Sequence, residues 1–224
     1  MYSPHEMEPK NSINEIAANL ALRYPISGSF GGYTQIDYYA FTTFERYDAP
    51  WENYSGKKML DIGTGVSDFV ARLLAKGADA SALDYRYGDK DALLVEASAN
   101  AFFKNSFQQY PERYIAGVAH QLPFKSNSLD AVTSMETIFG VTDHDLDLLR
   151  LNVEEGIRVL KPGGILRLGP FQQGDLSNLQ KASQAHIVES LKNREDVLVF
   201  AKQPRFMRSR LADEIGLLTI QKAT

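Results

Sequence analysis

From Lys57 onward, short apolar runs alternate with longer stretches in which apolar residues recur at helical spacing, and glycine and proline stand between them. Strand side chains repeat every second residue and helical ones about every 3.6, so this alternation predicts βαβ units and a parallel sheet. The first strand falls at Lys58–Ile62, and a helix follows over Asp68–Lys76, where Phe69, Leu73 and Leu74 share a face and Gly77 ends the run. A second strand is expected at Ala80–Asp84, a helical segment at Ala92–Phe107, a third strand at Tyr114–Ala119 and a fourth at Leu129–Met135. Leu146, Leu149, Val153, Ile157 and Leu160 mark a long amphipathic helix. The turn Lys161-Pro162-Gly163-Gly164 then launches a fifth strand, Ile165–Leu168, followed by a helix near 176–192 and strands near 197–201 and 217–221.

Ahead of Lys57 the pattern changes. Residues 11–22 suit a short amphipathic helix, after which Tyr24, Phe30, Tyr33, Tyr38, Tyr39, Phe41, Phe44, Tyr47, Trp51 and Tyr54 crowd a stretch broken by Gly28, Gly31 and Gly32. Residues 1–56 are therefore expected to form a helical, aromatic cap or lid on the same domain, with 57–224 as its core.

The whole chain has 224 residues, 44% hydrophobic and 23% charged, which suits one domain with one substantial core. A net charge of −4 offers no global attraction to phosphate backbones or anionic membranes, and the basic segment Lys202, Arg205, Arg208 and Arg210 reads more simply as a solvated loop than as a nucleic-acid surface. There are no cysteines and the four histidines are scattered, so no metal site is expected. No apolar run approaches the roughly 18 residues of a membrane span, and the start, MYSPHEMEPKNS, lacks a basic-then-apolar order. The expectation is a cytoplasmic protein, monomeric or homodimeric, in which the sequon Asn53-Tyr54-Ser55 has no role.

The sharpest local signal is Asp61-Ile62-Gly63-Thr64-Gly65-Val66-Ser67-Asp68, where a strand turns into a helix. Glycine there permits positive φ and close approach of a ligand to the backbone, although it would equally serve to tighten the turn. A dinucleotide loop would carry a third glycine at Asp68, because pyrophosphate rests on the helix start. Two acids around the loop instead favour a cationic ligand. Asp84, 19 positions after Gly65, closes an apolar strand where an acid accepts hydrogen bonds from ribose hydroxyls, and Tyr85 is placed to stack on a base.

These segments, with Leu122-Pro123-Phe124, Asn127-Ser128-Leu129-Asp130 and Leu160-Lys161-Pro162-Gly163-Gly164, resemble the class I S-adenosylmethionine-dependent methyltransferases over about 57–170. The resemblance implies a Rossmann-like α/β fold: a doubly wound, seven-stranded sheet, mostly parallel, with its last strand antiparallel and helices on both faces. It implies S-adenosylmethionine as cofactor, with Gly63, Thr64 and Gly65 at the methionine part, Asp61 holding its ammonium and Asp84 the ribose. Similar proteins usually read Gly-Asp-Ala before Leu-Pro-Phe. Here Gly117-Val118-Ala119 leaves no carboxylate for the adenine amine, so Ala119 would offer its amide, with His120 or Gln121 as substitutes.

Methyl transfer from a sulfonium is an in-line displacement, so an enzyme chiefly positions the acceptor and excludes water. Glu136, after the fourth strand, is the first candidate base; a helix-start acid is its plainer role. His120 is a second candidate base, against an ordinary structural histidine. Tyr38, with Tyr33 and Tyr39, would turn ring faces to a sulfonium, unless these rings simply pack the cap. Asp143-His144-Asp145 suggests acid–base chemistry less than capping of the next helix by Thr142 and Asp143. The expected function is methylation of a small organic molecule at oxygen, nitrogen or carbon. The alternatives are aminocarboxypropyl transfer or cyclisation releasing methylthioadenosine, and a binding or regulatory protein without turnover.

Overall fold

A computed structural model describes residues 55–67, 69–89, 91, 101–135, 137–141, 145–172, 179–202 and 215–224. In chain order the described elements are β1 (Lys58–Ile62), α1 (Phe69–Ala75), β2 (Asp79–Leu83), a 3₁₀ turn (Tyr85–Gly88), α2 (Ala101–Gln109) and a second 3₁₀ turn (Pro111–Arg113). They continue with β3 (Tyr114–Ile115), β4 (Leu129–Met135), α3 (Ile138–Val141), α4 (Leu146–Val159), β5 (Leu160–Gln172), α5 (Leu179–Lys192), β6 (Val197–Lys202) and β7 (Ile215–Lys222).

The seven strands form one sheet in the order β3-β2-β1-β4-β5-β7-β6. Strands β1 to β5 pair in parallel, while β7 lies antiparallel to both β5 and β6. The chain winds outward from β1 to one edge and then from β4 to the other. The order therefore reverses between β1 and β4, and in such sheets ligands bind at the carboxyl ends beside that reversal. The fold is the expected Rossmann-like one, including the antiparallel last strand.

Period-two alternation sends each strand's residues to two cores. On one face Leu60, Ile62, Val132, Leu166 and Leu168 pack against Leu149, Val153 and Ile157 of α4 and Ile187 and Leu191 of α5. On the other, Met59, Ala80, Ala82 and Ala131 leave room for Phe69, Val70 and Leu73 of α1 and Phe103 and Phe107 of α2. Small alanines on this face suit bulky rings opposite, and Phe107 meets Tyr114 edge to face at 5.1 Å. The long run of β5 reflects partners on both sides, β4 and β7, where the sequence pattern marks only its centre, Ile165–Leu168.

Two expectations change. The third strand is two residues rather than six, because the chain leaves the sheet after Ile115 and folds into a tight bridge between Val118 and Gln121. The cap of α4 is Asp145, whose side chain accepts from the Leu148 amide at 3.0 Å; Thr142 and Asp143 lie outside the described residues. The cap region 1–54, the basic residues 205–210 and residues 92–100 of the expected second helix also lie outside them.

Candidate functional site

β1 ends in the glycine loop, and the parallel register carries Asp61 opposite Ala82 of β2 and Thr133 of β4. Asp61 is 1% exposed, and its Oδ1 accepts from the Thr133 hydroxyl at 2.6 Å. A carboxylate is costly to bury, and the hydroxyl offsets part of that cost while fixing its orientation. Thr64 is also buried and donates to the Asp61 carbonyl at 3.0 Å, which tightens the turn out of the strand.

Gly63 and Gly65 both sit at positive φ, 76° and 56°. A Cβ on Gly63 would lie 1.7 Å from the Thr137 hydroxyl oxygen, so a side chain has no space there whatever the ligand. The Gly63 amide donates to the Leu83 carbonyl at 2.7 Å and the Gly65 amide to Asp84 at 2.9 Å. These bonds lace the loop to the end of β2. With these amides committed to β2, the glycines offer a ligand close approach to the backbone rather than N–H donors.

Asp84, 5% exposed, caps the 3₁₀ turn by accepting from the Arg86 amide at 2.9 Å, and the Arg86 guanidinium closes on the same carboxylate at 3.2 Å. Tyr85 follows it half-buried at the start of that turn. The Tyr87 hydroxyl donates to the Gly65 carbonyl at 2.8 Å. Burial first, then the Asp84 carboxylate, Tyr114 and Asp61, push Tyr87 well above the usual phenol range against a hydrogen bond with Thr64. It therefore remains a neutral donor.

The stretch after β3 approaches Asp84 by backbone: the Asp84 amide donates to the Ile115 carbonyl at 3.1 Å. Val118 is 7% exposed and belongs to the buried apolar set, so the position of the missing carboxylate is occupied by core packing. Ala119, partly buried, packs against the core that contains Leu83 and Leu122. His120 is half-buried, and that burial lowers its pKa against the opposing pull of Glu155, which favours neutral imidazole. Glu155 accepts from the Leu122 amide at 2.9 Å, and Arg158 reaches the carbonyls of Leu122 and Phe124. Helix α4 thus holds the Leu122-Pro123-Phe124 segment in place.

The structure brings Asp61, Gly63, Thr64, Gly65, Asp84 and Tyr85 to one end of the sheet, with Ala119 and His120 on the segment after β3. Glu136, Tyr33, Tyr38, Tyr39 and Asp68 lie outside the described residues. Sequence reasoning missed Arg86, Tyr87, Thr133 and Thr137. Of these, Thr133 carried a signal, a hydroxyl in the otherwise apolar run Ala131-Val132-Thr133. Among the described residues no group of three or more histidine, aspartate or glutamate side chains is arranged to hold a metal, and no helix is long and apolar enough to cross a membrane. Two buried carboxylates on neighbouring strand ends, around a glycine loop whose Thr64 side chain is buried, suit a nucleoside that carries positive charge.

A family model described as "Methyltransferase domain" matches residues 60–168. The chain is 34% identical over 122 residues to a ubiquinone/menaquinone biosynthesis C-methyltransferase of Cereibacter sphaeroides, covering 53% of this chain and 44% of that protein. It is 31% identical over 129 residues to a biotin biosynthesis bifunctional protein of Cellvibrio japonicus, covering 57% of this chain and 22% of that one. It thus spans less than half the length of these curated relatives. Among solved structures, the complex between a Haloferax volcanii methyltransferase activator and a methyltransferase aligns with a TM-score of 0.52 at 17% identity, over 96% of this chain and 99% of that one. At that identity the likeness concerns the fold.

Proposed function

We propose that the chain, whose residues 60–168 match a methyltransferase domain, is an S-adenosylmethionine-dependent transferase that methylates a small organic acceptor. The observation that carries the reading is the pair of buried acids, Asp61 and Asp84, on either side of the Gly63–Gly65 loop. Asp84 receives the ribose hydroxyls, Asp61 attracts the ammonium of the methionine part, and Gly63, Thr64 and Gly65 give it a surface free of side chains. Tyr85 and the apolar patch at Val118 and Ala119 hold the adenine by packing and one backbone amide, in place of a carboxylate. When bound, the cofactor supplies an electrophilic methyl group on a sulfonium.

The chain's own tasks are to orient the acceptor, exclude water and, for an acceptor that must lose a proton, take it up. His120, neutral near pH 7, and Glu136 are the proposed bases, and Tyr38 with Tyr33 and Tyr39 the proposed lid. The names of the curated relatives, which concern quinone and biotin biosynthesis, support an acceptor of metabolite size.

The test is incubation of the purified protein with methyl-labelled S-adenosylmethionine and, in parallel arms, a metabolite extract or total RNA. The expected result is S-adenosylhomocysteine together with label in one small acceptor. Methylthioadenosine without transferred label would instead mean aminocarboxypropyl chemistry or cyclisation, label in RNA would mean a nucleic-acid acceptor, and cofactor binding without turnover would mean a regulatory protein.

A further inference from the structure

Among the described residues four donors meet the Asp84 carboxylate, and they divide evenly. Oδ1 accepts from the Arg86 amide at 2.9 Å and Arg86 Nε at 3.2 Å; Oδ2 accepts from the Gly65 amide at 2.9 Å and Arg86 Nη2 at 3.2 Å. Each oxygen therefore has one backbone amide and one arm of the guanidinium fork. The amides are fixed by the 3₁₀ turn and the glycine loop. The guanidinium hangs on a rotatable side chain that is 20% exposed, and its two bonds are longer than a good charge-assisted bond of about 2.7–2.9 Å.

A ribose presents two hydroxyl donors on adjacent carbons, one for each oxygen of a facing carboxylate, which is the same pattern as the two arms of the fork. We propose that Arg86 sets the affinity and selectivity for the ribose: its guanidinium occupies the two acceptor positions on Asp84, and a vicinal diol binds by exchanging with it, arm for hydroxyl. This rests on the reading that Asp84 is the ribose acceptor. Arg86 is then a specificity-determining positioning residue rather than a catalytic one. Closure reduces the apparent affinity of every nucleoside by the fraction of molecules in the closed form. A diol replaces both bonds to Asp84 that opening breaks, whereas a deoxyribose replaces one.

Adenosine is the probe, because it carries no charge and the salt dependence of its binding then reports on the Arg86–Asp84 pair. Titration calorimetry would compare the wild-type protein, R86M, which keeps the aliphatic stem, and D84N at two ionic strengths. R86M is expected to bind adenosine about twofold to fivefold tighter than wild type, the value of a partly exposed ion pair, with binding insensitive to salt. Wild-type binding is expected to tighten as salt screens the pair. In turnover R86M would lower KM for S-adenosylmethionine and leave kcat unchanged, a split that general loosening of the fold does not produce.

Binding by R86M equal to or weaker than wild type overturns the proposal, since Arg86 would then be a bystander or touch the ligand itself. Equal binding by D84N and wild type would instead remove the ribose reading on which it rests. R86Q, which retains a polar stem, is the second variant should R86M not fold by circular dichroism, and the same tightening is expected of it.

Discussion

Two aspartates at opposite ends of the sheet show how one residue type is put to different uses. Asp130, near the start of β4, accepts from the Lys58 amide at 2.8 Å and from Lys161 Nζ at 2.9 Å, so it ties β4 to β1 and to the turn within β5. Burial raises its pKa, and the bonds from Lys161 and Lys58 more than reverse this and hold it below the usual carboxylate range. Asp84, at the carboxyl end, finds its charged partner two residues away on its own turn. A clamp made from distant strands is stability, and one made locally is available for exchange. Substitution should therefore separate the two ends: stability is lost at Asp130 and ligand binding at Asp84.

The largest stability effect is expected at the carboxyl end, where the loop has no slack. G63A places a Cβ against Thr137 in a left-handed conformation, and it should cost about 3 kcal/mol, measured by urea denaturation. Adding T137A should recover part of this and not all, because the φ of +76° remains unfavourable for alanine. A G63A protein as stable as wild type would mean that the loop is not packed against Thr137. Next, Y87F removes a buried donor from the Gly65 carbonyl and should cost about 1–1.5 kcal/mol, with weaker nucleoside binding because the loop loosens.

D130N should cost about 0.5–1 kcal/mol at neutral pH and leave nucleoside binding unchanged, since its lysine partner is partly in water. The sign with pH follows from the lowered folded pKa. The contribution is present above the usual carboxylate pKa and is lost as pH falls through the lower folded value, so wild-type and D130N stabilities should converge in acid. The smallest effect belongs to His120. Its folded pKa is also lowered, so stability is full above the ordinary histidine pKa and declines as pH falls from there through the folded value; H120Q should flatten that part of the profile by a few tenths of a kcal/mol.

Most of the scaffold was readable from residue pattern. β1 and β4 are short, mostly apolar runs bounded by turn residues, and α4 carries an apolar stripe at helical spacing, so the fold order followed from periodicity. β3 was overestimated because Ala116-Gly117-Val118-Ala119 is apolar enough for a strand. Backbone pairing of Gly117 with Asp84 and the bend at Val118 decide otherwise. At the site, the acids and glycines were legible by type and spacing. Arg86 on Asp84, Tyr87 on Gly65 and Thr137 over Gly63 were not, because each depends on which way a side chain leaves a turn, and spacing along the chain does not encode that.

Titration of S-adenosylhomocysteine into wild type, D84N and D130N tests the central claim most directly. D84N should bind at least about tenfold more weakly than wild type, as expected for loss of hydrogen bonds to a charged acceptor, while D130N binds as wild type does. Equal affinities for D84N and D130N, or no binding by wild type, would contradict the assignment of the carboxyl end of the sheet as the nucleoside site.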